Sequence, residues 1–356
     1  MMLELEKIRI CYLPGRESTY VRNRVLVNGL RKVGAVVYDC SCKKKSALQR
    51  IIGFAKFLYF KRKSDIVFVG FLGQPFVPLV KLFTRKKIIF DTFLSMYQTL
   101  AFDRKAIKPS GVIAKIVRLI EKKSCQMSDK CFLDTNQHID YFVNEYHIDR
   151  SKFQRSLLGA DDSPIVPKEE NIHRETIIHF HGEFQALHGT QYIIKAAKLL
   201  PNIQFRMIGG GRELNDCLEL TRELSVNNIS FIQTVRFNEI PYFISQATIC
   251  LGIFGETQKT RLVIPFKVYE TLAMSKAIIT ADTPAIKELL THEKNVYLCE
   301  PANPQDLAKA IQTLLNNRML RDKIAKNGYK IFKEKCSPKA IGTEILKTAK
   351  ELLKQY

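Results

Sequence analysis

Residues 264–282 read IPFKVYETLAMSKAIITAD, the pattern of a short buried helix followed at once by a strand. Pro265 suits the start of a helix, because its fixed φ matches the first turn. We therefore predict a helix over 266–274, with the apolar run KAIIT as a core strand after it. Lys267 and Glu270 lie in the first turns of this otherwise apolar helix. Two charged groups where a helix enters a core require an explanation.

The same alternation of apolar strands and amphipathic helices extends over most of the chain. In the first half the strand patterns are KIRICYLP, AVVYDC, DIVFVGF, KKIIFD and KCFLDT. In the second half they are TIIHFHGEF, IQFRMIGGG, ISFIQTV, ATICLGIF, KAIITAD and VYLCE. Such alternation predicts parallel sheets covered by helices. The predicted fold class is α/β, with two Rossmann-like domains facing a cleft, and ligands are expected at the carboxyl ends of the strands.

A polar segment separates the two alternating runs. Residues 162–175, DSPIVPKEENIHRE, contain two prolines and no periodicity, so we interpret them as a linker. A chain of 356 residues suits two domains. The predicted boundaries are 1–165 for the first domain and 166–335 for the second. Residues 336–356 are predicted to form a C-terminal helix that could pack back on the first domain.

Several common classes of protein are disfavoured by the sequence. The nine cysteines are scattered and form no paired CxxC, which favours reduced thiols over a zinc site or disulfides. The start does not resemble a signal peptide, and no apolar stretch reaches the roughly 18–20 residues of a membrane span. No GxGxxG follows the first strand and the chain has no Asp-x-Asp. We therefore predict a cytoplasmic protein with no cofactor and no metal.

The net charge of +21 is concentrated in the first half, where residues 1–165 hold 30 Lys and Arg against 15 Asp and Glu. Residues 43–63 contain eight cations and no acid. The eight are Lys43, Lys44, Lys45, Arg50, Lys56, Lys61, Arg62 and Lys63. Between them runs a wide apolar face, and residues 112–123 repeat the theme more weakly. This composition suits the headgroup region of an anionic membrane.

Two alternatives to membrane contact exist for this basic helix. It could pack on its own sheet with its lysines at the rim, and both arrangements can hold for one helix. Nucleic acid is disfavoured as a partner, because the segment contains no groove-reading or base-stacking module. We predict peripheral association with the inner face of the cell membrane.

Lys267 and Glu270 have a functional and a structural interpretation. The first turn of a helix attracts anions through its free N–H groups and dipole, and Lys267 adds a full charge there. Glu270, one turn later, can accept hydrogen bonds from the two hydroxyls of a ribose. Together they predict a site for a nucleoside diphosphate. The structural alternative is an i,i+3 ion pair on a solvated face.

A family resemblance supports the functional interpretation. Its motifs are HGEF and HGT before the helix QYIIKAAKLLPN, then FRMIGGG, then P-x-K-x-x-E-x-x-A-x-x-K-A-I-I-T from Pro265. In these the chain resembles glycosyltransferases of the GT-B fold, in the family-four group (glycosyl transferases group 1), which transfer sugars from nucleotide-sugars with retention. The resemblance covers nearly the whole chain and is strongest over 176–300.

The resemblance implies roles for particular residues. It implies that Glu270 holds the donor ribose and that the start of its helix holds the diphosphate. It implies that Asp91 faces the reacting sugar; the alternative for Asp91 is a helix N-cap. The remaining predicted donor-binding residues are Gly15, Arg16, Gly182, His188, Gly210, Arg261, Phe266, Lys267 and Val268.

The chain departs from the family pattern at three places. Leu262 stands where the family commonly has a first carboxylate, eight residues before Glu270. Glu183 and His188 replace the usual arginine and lysine. Lys267, Arg261 and His188 would then have to neutralise the diphosphate, although a structural hydrogen bond is an equal alternative for His188.

The sequence thus predicts a metal-independent glycosyltransferase that moves a sugar from a UDP- or GDP-sugar to a glycan or lipid-linked acceptor. Two rival functions stay open at this point. One is a sugar-nucleotide epimerase of the same fold, which would act on soluble substrate without needing the basic helix. The other is a degenerate transferase that binds a nucleotide without catalysis, which the replacements at Glu183, His188 and Leu262 keep open.

Overall fold

The computed structural model describes residues 7–41, 47–162 and 175–354, without the side chains of Ala47 and Arg50. The chain divides into two compact units, Met1–Asp161 with Lys335–Tyr356, and Asp162–Glu334. Lys43, Lys44, Lys45 and most of the predicted linker 162–175 lie outside the described residues.

The first unit is built on a parallel six-stranded sheet in the order β2-β1-β3-β4-β5-β6. Its strands are β1 (Arg9–Leu13), β2 (Val36–Asp39), β3 (Ile66–Val69), β4 (Ile88–Phe93), β5 (Lys130–Leu133) and β6 (Phe153–Arg155). The five strands predicted in this half are confirmed, and β6 was missed because only three residues form it. Such a short edge strand carries too little pattern to stand out.

Helices cover both faces of this sheet. They are α1 (Val21–Lys32), α2 (Ala47–Phe60), α3 (Phe76–Phe83), α4 (Met96–Gln98), α5 (Val112–Met127) and α6 (Asn136–Tyr146), with the C-terminal helix α14 (Pro338–Lys354). One face packs Phe57 of α2, Val77 of α3 and Cys125 of α5 against the strands. The opposite face packs α1 and α14 through Leu26 and Ile345.

The second unit has a parallel six-stranded sheet in the order β12-β11-β10-β7-β8-β9. Its strands are β7 (Ile177–His181), β8 (Gln204–Ile208), β9 (Ile229–Ile232), β10 (Ile249–Leu251), β11 (Ile278–Ala281) and β12 (Tyr297–Cys299). Its helices are α7 (Thr190–Leu199), α8 (Leu214–Glu223), α9 (Ile240–Gln246), α10 (Phe266–Ala273), α11 (Pro284–Lys287), α12 (Pro304–Asn316) and α13 (Arg318–Ile331). The helix and strand predicted from residues 264–282 are therefore confirmed as α10 and β11.

Side chains alternate between the two faces of the second sheet, as strand geometry requires. Ile178 and Phe180 of β7 lie in a core with α7 and α12. His179 and His181 occupy the alternate positions, so they belong to the other face. There α9 contacts β7 and α10 contacts β11. Among the described residues, no helix combines the length and apolar character needed to cross a bilayer.

The C-terminal helix belongs to the first unit and packs closely on α1. A Cβ atom built on Gly342 would come within 2.3 Å of the Gly29 backbone, and one built on Gly29 within 2.1 Å of the Pro338 carbonyl oxygen. These distances are far below van der Waals contact, so the two backbones meet only because both residues lack a side chain.

Replacing Gly342 with valine should force α14 away from α1 and lower the free energy of unfolding of the first unit by about 1–3 kcal/mol, the usual range for overpacking. Urea unfolding followed by circular dichroism measures the change. The matched control is Thr343→Val, at the next and exposed position of α14. Equal midpoints for the two variants would contradict this account of the packing.

Candidate functional site

The loops that follow β7 and β8 lie against each other at the carboxyl edge of the second sheet. The Gly182 N–H donates to the Ile208 carbonyl at 2.9 Å. Gly209 has a φ of +144°, and a Cβ there would stand 2.0 Å from the Gly182 oxygen. The Gly210 carbonyl accepts from the Phe184 N–H at 2.8 Å. The glycine run at 209–211 is thus explained by close backbone approach, and it borders the site built by β7 and α10.

Lys267 extends from the first turn of α10 to the end of β7. Its Nζ atom lies 3.9 Å from the centroid of the Phe180 ring, a cation–π contact. A Cβ atom on Gly182 would be 2.9 Å from the same Nζ atom. Gly182 also has a φ of +139°, which disfavours any other residue. The position that the family resemblance singled out therefore leaves room for an ammonium group.

The amino group of Lys267 is buried, and no described residue forms a hydrogen bond with it. The residue is 4% exposed, and Nζ has no hydrogen-bond partner among the residues that the structure describes. Burial holds the pKa of Lys267 well below its ordinary value, while the charges of Glu270 and Glu183 act in the opposite direction. A buried donor in this state gains free energy when an anion supplies an acceptor and a counter-charge.

His188 is also buried, beside the Phe180 ring at a centroid distance of 5.9 Å. Its Nδ1 is hydrogen-bonded to the Glu183 carbonyl oxygen. Burial and the nearby charge of Lys267 lower the pKa of His188 well below its usual value. The ring is therefore neutral with its proton on Nδ1, which makes Nε2 an acceptor. The structural hydrogen bond predicted as an alternative is present, and His188 would add positive charge only after protonation.

Glu270 is 5% exposed, and its Oε2 atom lies 2.9 Å from Nε2 of His181. The alternative of a solvated ion pair with Lys267 is wrong, because both side chains are buried. Sequence reasoning missed His181 and its neighbour His179. The pattern His-x-His in TIIHFHGEF could have revealed them, because residues two apart on a strand lie on the same face.

Three further residues around α10 were predicted to bind the donor, and two of them, Val268 and Arg261, do not face the site of Lys267 and Glu270. Phe266 begins the helix. Val268 is fully buried and its N–H already donates to the Pro265 carbonyl at 3.0 Å, so it is not available to a ligand. Arg261 lines a separate cavity of about 630 Å³ at the carboxyl ends of β10 to β12, and neither Lys267 nor Glu270 lines it.

Gly15 and Arg16 belong to the first unit. A Cβ on Gly15 would stand 1.9 Å from the Leu72 carbonyl oxygen, so close backbone contact explains this glycine. Arg16 pairs with Glu17 at 2.8 Å and lies over the Tyr20 ring at 4.3 Å. These contacts are local to the loop after β1.

The geometry of Asp91 does not support a group that faces the reacting sugar. Asp91 is fully buried, and its two oxygens accept from Nη2 and Nε of Arg22 at 2.9 and 3.0 Å. Arg22 also donates to the Leu157 carbonyl at 2.7 Å. Asp91 is not an N-cap either, because that position before α4 is held by Ser95. The pair ties α1 and β4 to the chain beyond β6, a structural role that accounts for both charges.

Within the described ranges there is no group of three or more metal-ligating side chains. The predicted metal independence stays a prediction. The structure brings Gly182, His188 and Lys267 together around the Phe180 ring, and it pairs Glu270, one turn further along α10, with His181 of β7.

Comparisons with known proteins identify the family of the second unit. Residues 162–331 match the family model described as glycosyl transferases group 1. The second unit is a glycosyl transferases group 1 domain. The family resemblance seen in the sequence is thereby confirmed.

Two curated relatives also match part of the chain. A Haemophilus influenzae protein named "uncharacterized glycosyltransferase" is 26% identical over 167 residues, which is 44% of this chain and 45% of that protein. A Methanocaldococcus jannaschii protein of similar name is 26% identical over 161 residues, 44% of each chain. The matched part of the chain therefore spans less than half of these curated relatives.

Solved structures confirm the predicted fold over both units. Sucrose-phosphate synthase of Thermosynechococcus elongatus superposes with a TM-score of 0.76 at 14% identity, covering 98% of this chain and 100% of the other. HepE of Anabaena in complex with UDP-glucose gives 0.72 at 12% identity, covering 97% and 100%. These likenesses establish the GT-B fold.

The buried histidines of the glycosyl transferase domain should make its stability depend on pH. His179 and His188 have pKa values well below normal, chiefly from burial, whereas an unfolded imidazole titrates near 6.5. Below that pH the unfolded chain binds more protons, so the free energy of unfolding should fall by roughly 1.4 kcal/mol per pH unit for each histidine.

Urea midpoints of the second unit at pH 7.5 and pH 5.5 measure this effect. In His188→Gln the dependence should be about half as steep, because one of the two titrating groups is gone. A midpoint that stays constant between these pH values would contradict the assignment of neutral, buried imidazoles.

Proposed function

We propose that this chain is a glycosyltransferase that moves a hexose-type sugar from a UDP- or GDP-sugar to a glycan or lipid-linked acceptor. One observation carries the proposal. At the start of α10, against Gly182, the Lys267 amino group is buried with no hydrogen bond from the described residues, and Glu270 lies one turn further on. The first group suits a diphosphate and the second suits a ribose.

The diphosphate would lie between the first turn of α10 and the loop at Gly182. The helix start adds the partial positive charge of its dipole to the charge of Lys267. Contact with phosphate oxygens would raise the pKa of Lys267, so the lysine takes up a proton as the donor binds. As the glycosyl bond breaks, the leaving diphosphate gains negative charge, which fixed cations and N–H groups stabilise. The resemblance to the family supports a metal-independent, retaining reaction.

Glu270 would accept hydrogen bonds from the two ribose hydroxyls. An ionised carboxylate has about four acceptor sites, so it can bind two hydroxyls and keep its bond to His181. Its burial strengthens each of these bonds. Among structures of this fold, HepE of Anabaena has been solved with UDP and with UDP-glucose, which makes UDP the first nucleotide to test.

Glu270→Ala should weaken UDP or GDP binding at least about 100-fold, because hydrogen bonds to a charged group are worth roughly 1.5–3 kcal/mol each and two are lost. Isothermal titration calorimetry measures the affinity, and circular dichroism checks the fold. The control is Glu256→Ala, an exposed carboxylate in the loop after β10. Unchanged affinity in Glu270→Ala would overturn the site.

Lys267 has a signature of its own in the same experiment. At pH 8 a diphosphate is already ionised. Any proton taken up on binding is therefore taken up by a group of the protein. Titrations in two buffers of different ionisation enthalpy should show uptake in the unsubstituted chain and none in Lys267→Met. Product analysis with a panel of donors separates the rivals, since an epimerase converts the donor without acceptor and a degenerate protein binds it unchanged.

We further propose that the first unit binds the cytoplasmic face of a membrane through α2, α3 and α5. All three helices pack on one face of the sheet through their inner residues. The basic helix therefore packs on its own sheet, and its other side is still free to contact a membrane. The outer residues of all three helices remain apolar. The exposed apolar side chains are Leu48, Ile51, Ile52 and Tyr59 on α2, Leu79, Leu82 and Phe83 on α3, and Val112, Ile113, Ile116 and Leu119 on α5.

The size and charge of this surface support a membrane as its occupant. Leu82 is 78% and Val112 73% exposed, and single-residue scatter does not explain so many exposed apolar groups on adjacent helices. Lys56, Lys63 and Lys115 lie among them and are positioned for anionic headgroups. Such a surface would bring a lipid-linked acceptor to the enzyme.

Binding to vesicles that contain about a quarter anionic lipid should exceed binding to neutral vesicles and weaken with added salt. Ile116→Glu should reduce it about tenfold, because it removes an inserting side chain and adds a repelled charge. The matched control is Leu199→Glu on α7, since Ile116 and Leu199 are 51% and 48% exposed. Equal binding to neutral vesicles, or equal loss in both variants, would refute the membrane proposal.

A further inference from the structure

Two histidines that the proposed reaction does not use lie behind Glu270. His179 and His181 are 0% and 6% exposed on β7. Their rings lie nearly parallel, with centroids 5.1 Å apart and an angle of 24° between the planes. Buried polar rings of this kind need hydrogen-bond partners.

A continuous line of hydrogen bonds runs through both rings. Nε of Arg206 lies 3.4 Å from Nδ1 of His179. Nε2 of His179 lies 3.1 Å from Nδ1 of His181. Nε2 of His181 lies 2.9 Å from Oε2 of Glu270. The line crosses the sheet from β8 to β7 and ends on α10.

The two ends determine the direction of every bond in the line. A guanidinium group only donates and an ionised carboxylate only accepts. Nδ1 of His179 must therefore accept from Arg206, and its proton must be on Nε2. The same reasoning places the proton of His181 on Nε2, where it is donated to Glu270. Both imidazoles are neutral in this arrangement, and burial lowers the pKa of His179 in agreement with it.

The far end of the line is anchored to the scaffold. Nη1 of Arg206 donates to the Gln246 side chain at 2.8 Å and Nη2 donates to the Phe243 carbonyl at 2.5 Å. The guanidinium group also stacks over the Phe243 ring at 5.1 Å. Arg206 is thereby held against α9. Each group in the line has a fixed neighbour, so the last one presents a fixed N–H to Glu270.

We infer that His181, supported by His179 and Arg206, is a positioning residue that orients the Glu270 carboxylate toward a ribose diol and so selects ribonucleotides over 2′-deoxyribonucleotides. The inference rests on the proposed role of Glu270. The bond to His181 occupies one acceptor site on Oε2 and sets the rotation of the carboxylate. The remaining acceptor sites then point at two hydroxyls together, and a sugar that lacks one hydroxyl leaves a buried acceptor unpaired.

The test compares the affinity for UDP with that for 2′-deoxy-UDP, or GDP with 2′-deoxy-GDP if guanine binds better, by calorimetry. The unsubstituted chain should prefer the ribonucleotide at least about tenfold. His181→Leu should reduce UDP affinity and bring this ratio close to one, with little change for the deoxynucleotide. His181→Gln should keep most of the ratio, because the glutamine amide reaches about the place of Nε2 and still donates.

A merely structural role for His181 predicts a different result, in which both nucleotides weaken equally and glutamine does not rescue the preference. That result would overturn the inference. So would a ratio that collapses in Glu270→Ala but survives in His181→Leu. If the ratio and the affinity survive in Glu270→Ala itself, or neither UDP nor GDP binds, the proposed ribose site fails first.

A second measurement reads the line of hydrogen bonds in the unsubstituted chain. Nitrogen-15 spectra of histidine-labelled protein report the tautomer of each ring, with His179→Gln used for assignment. Both rings should carry their proton on Nε2. A proton on Nδ1 of either ring would overturn the inference, even if His181→Leu fails to fold.

Discussion

The candidate site of the glycosyl transferase domain depends on one buried lysine. The Lys267 amino group lies over the Phe180 ring and against the backbone at Gly182, with no hydrogen bond from the described part of the chain. Such a group is expensive to bury. Three features accommodate it. Gly182 has no Cβ atom in its way, β7 places the Phe180 ring beneath it, and α10 begins directly after Pro265, one residue before it.

A comparison of buried charges separates the candidate site from the scaffold. In the first unit, the fully buried Arg22 and Asp91 neutralise each other, and each guanidinium nitrogen of Arg22 donates to Asp91 or to the Leu157 carbonyl. In the second unit, and among the residues that the structure describes, Lys267 has no hydrogen bond and the Glu270 carboxylate is bonded to His181 through Oε2. Burial alone therefore does not indicate function. The hydrogen-bonding capacity that remains unused after folding is the better guide, and it points to α10.

Sequence reasoning succeeded where the pattern is local. Pro265 marks the start of α10, the apolar run after it forms β11, and the alternation along the chain predicted both parallel sheets. It was less successful with single side chains. Arg261 lines another cavity, Val268 faces the core, and Asp91 is paired with Arg22. A motif places a residue near a site, but the direction of its side chain depends on what packs beside it.

The amino-acid sequence by itself determined the fold class, the family and the presence of a charged pair at the start of one helix, because these follow from periodicity and from residues close together in the chain. Only the tertiary structure decided which charged and polar side chains pair with each other. Glu270 and His181 are 89 residues apart, and Arg22 and Asp91 are 69 apart. Such pairs form when strands and helices from distant segments pack together, and no local pattern records which side chains then come into contact.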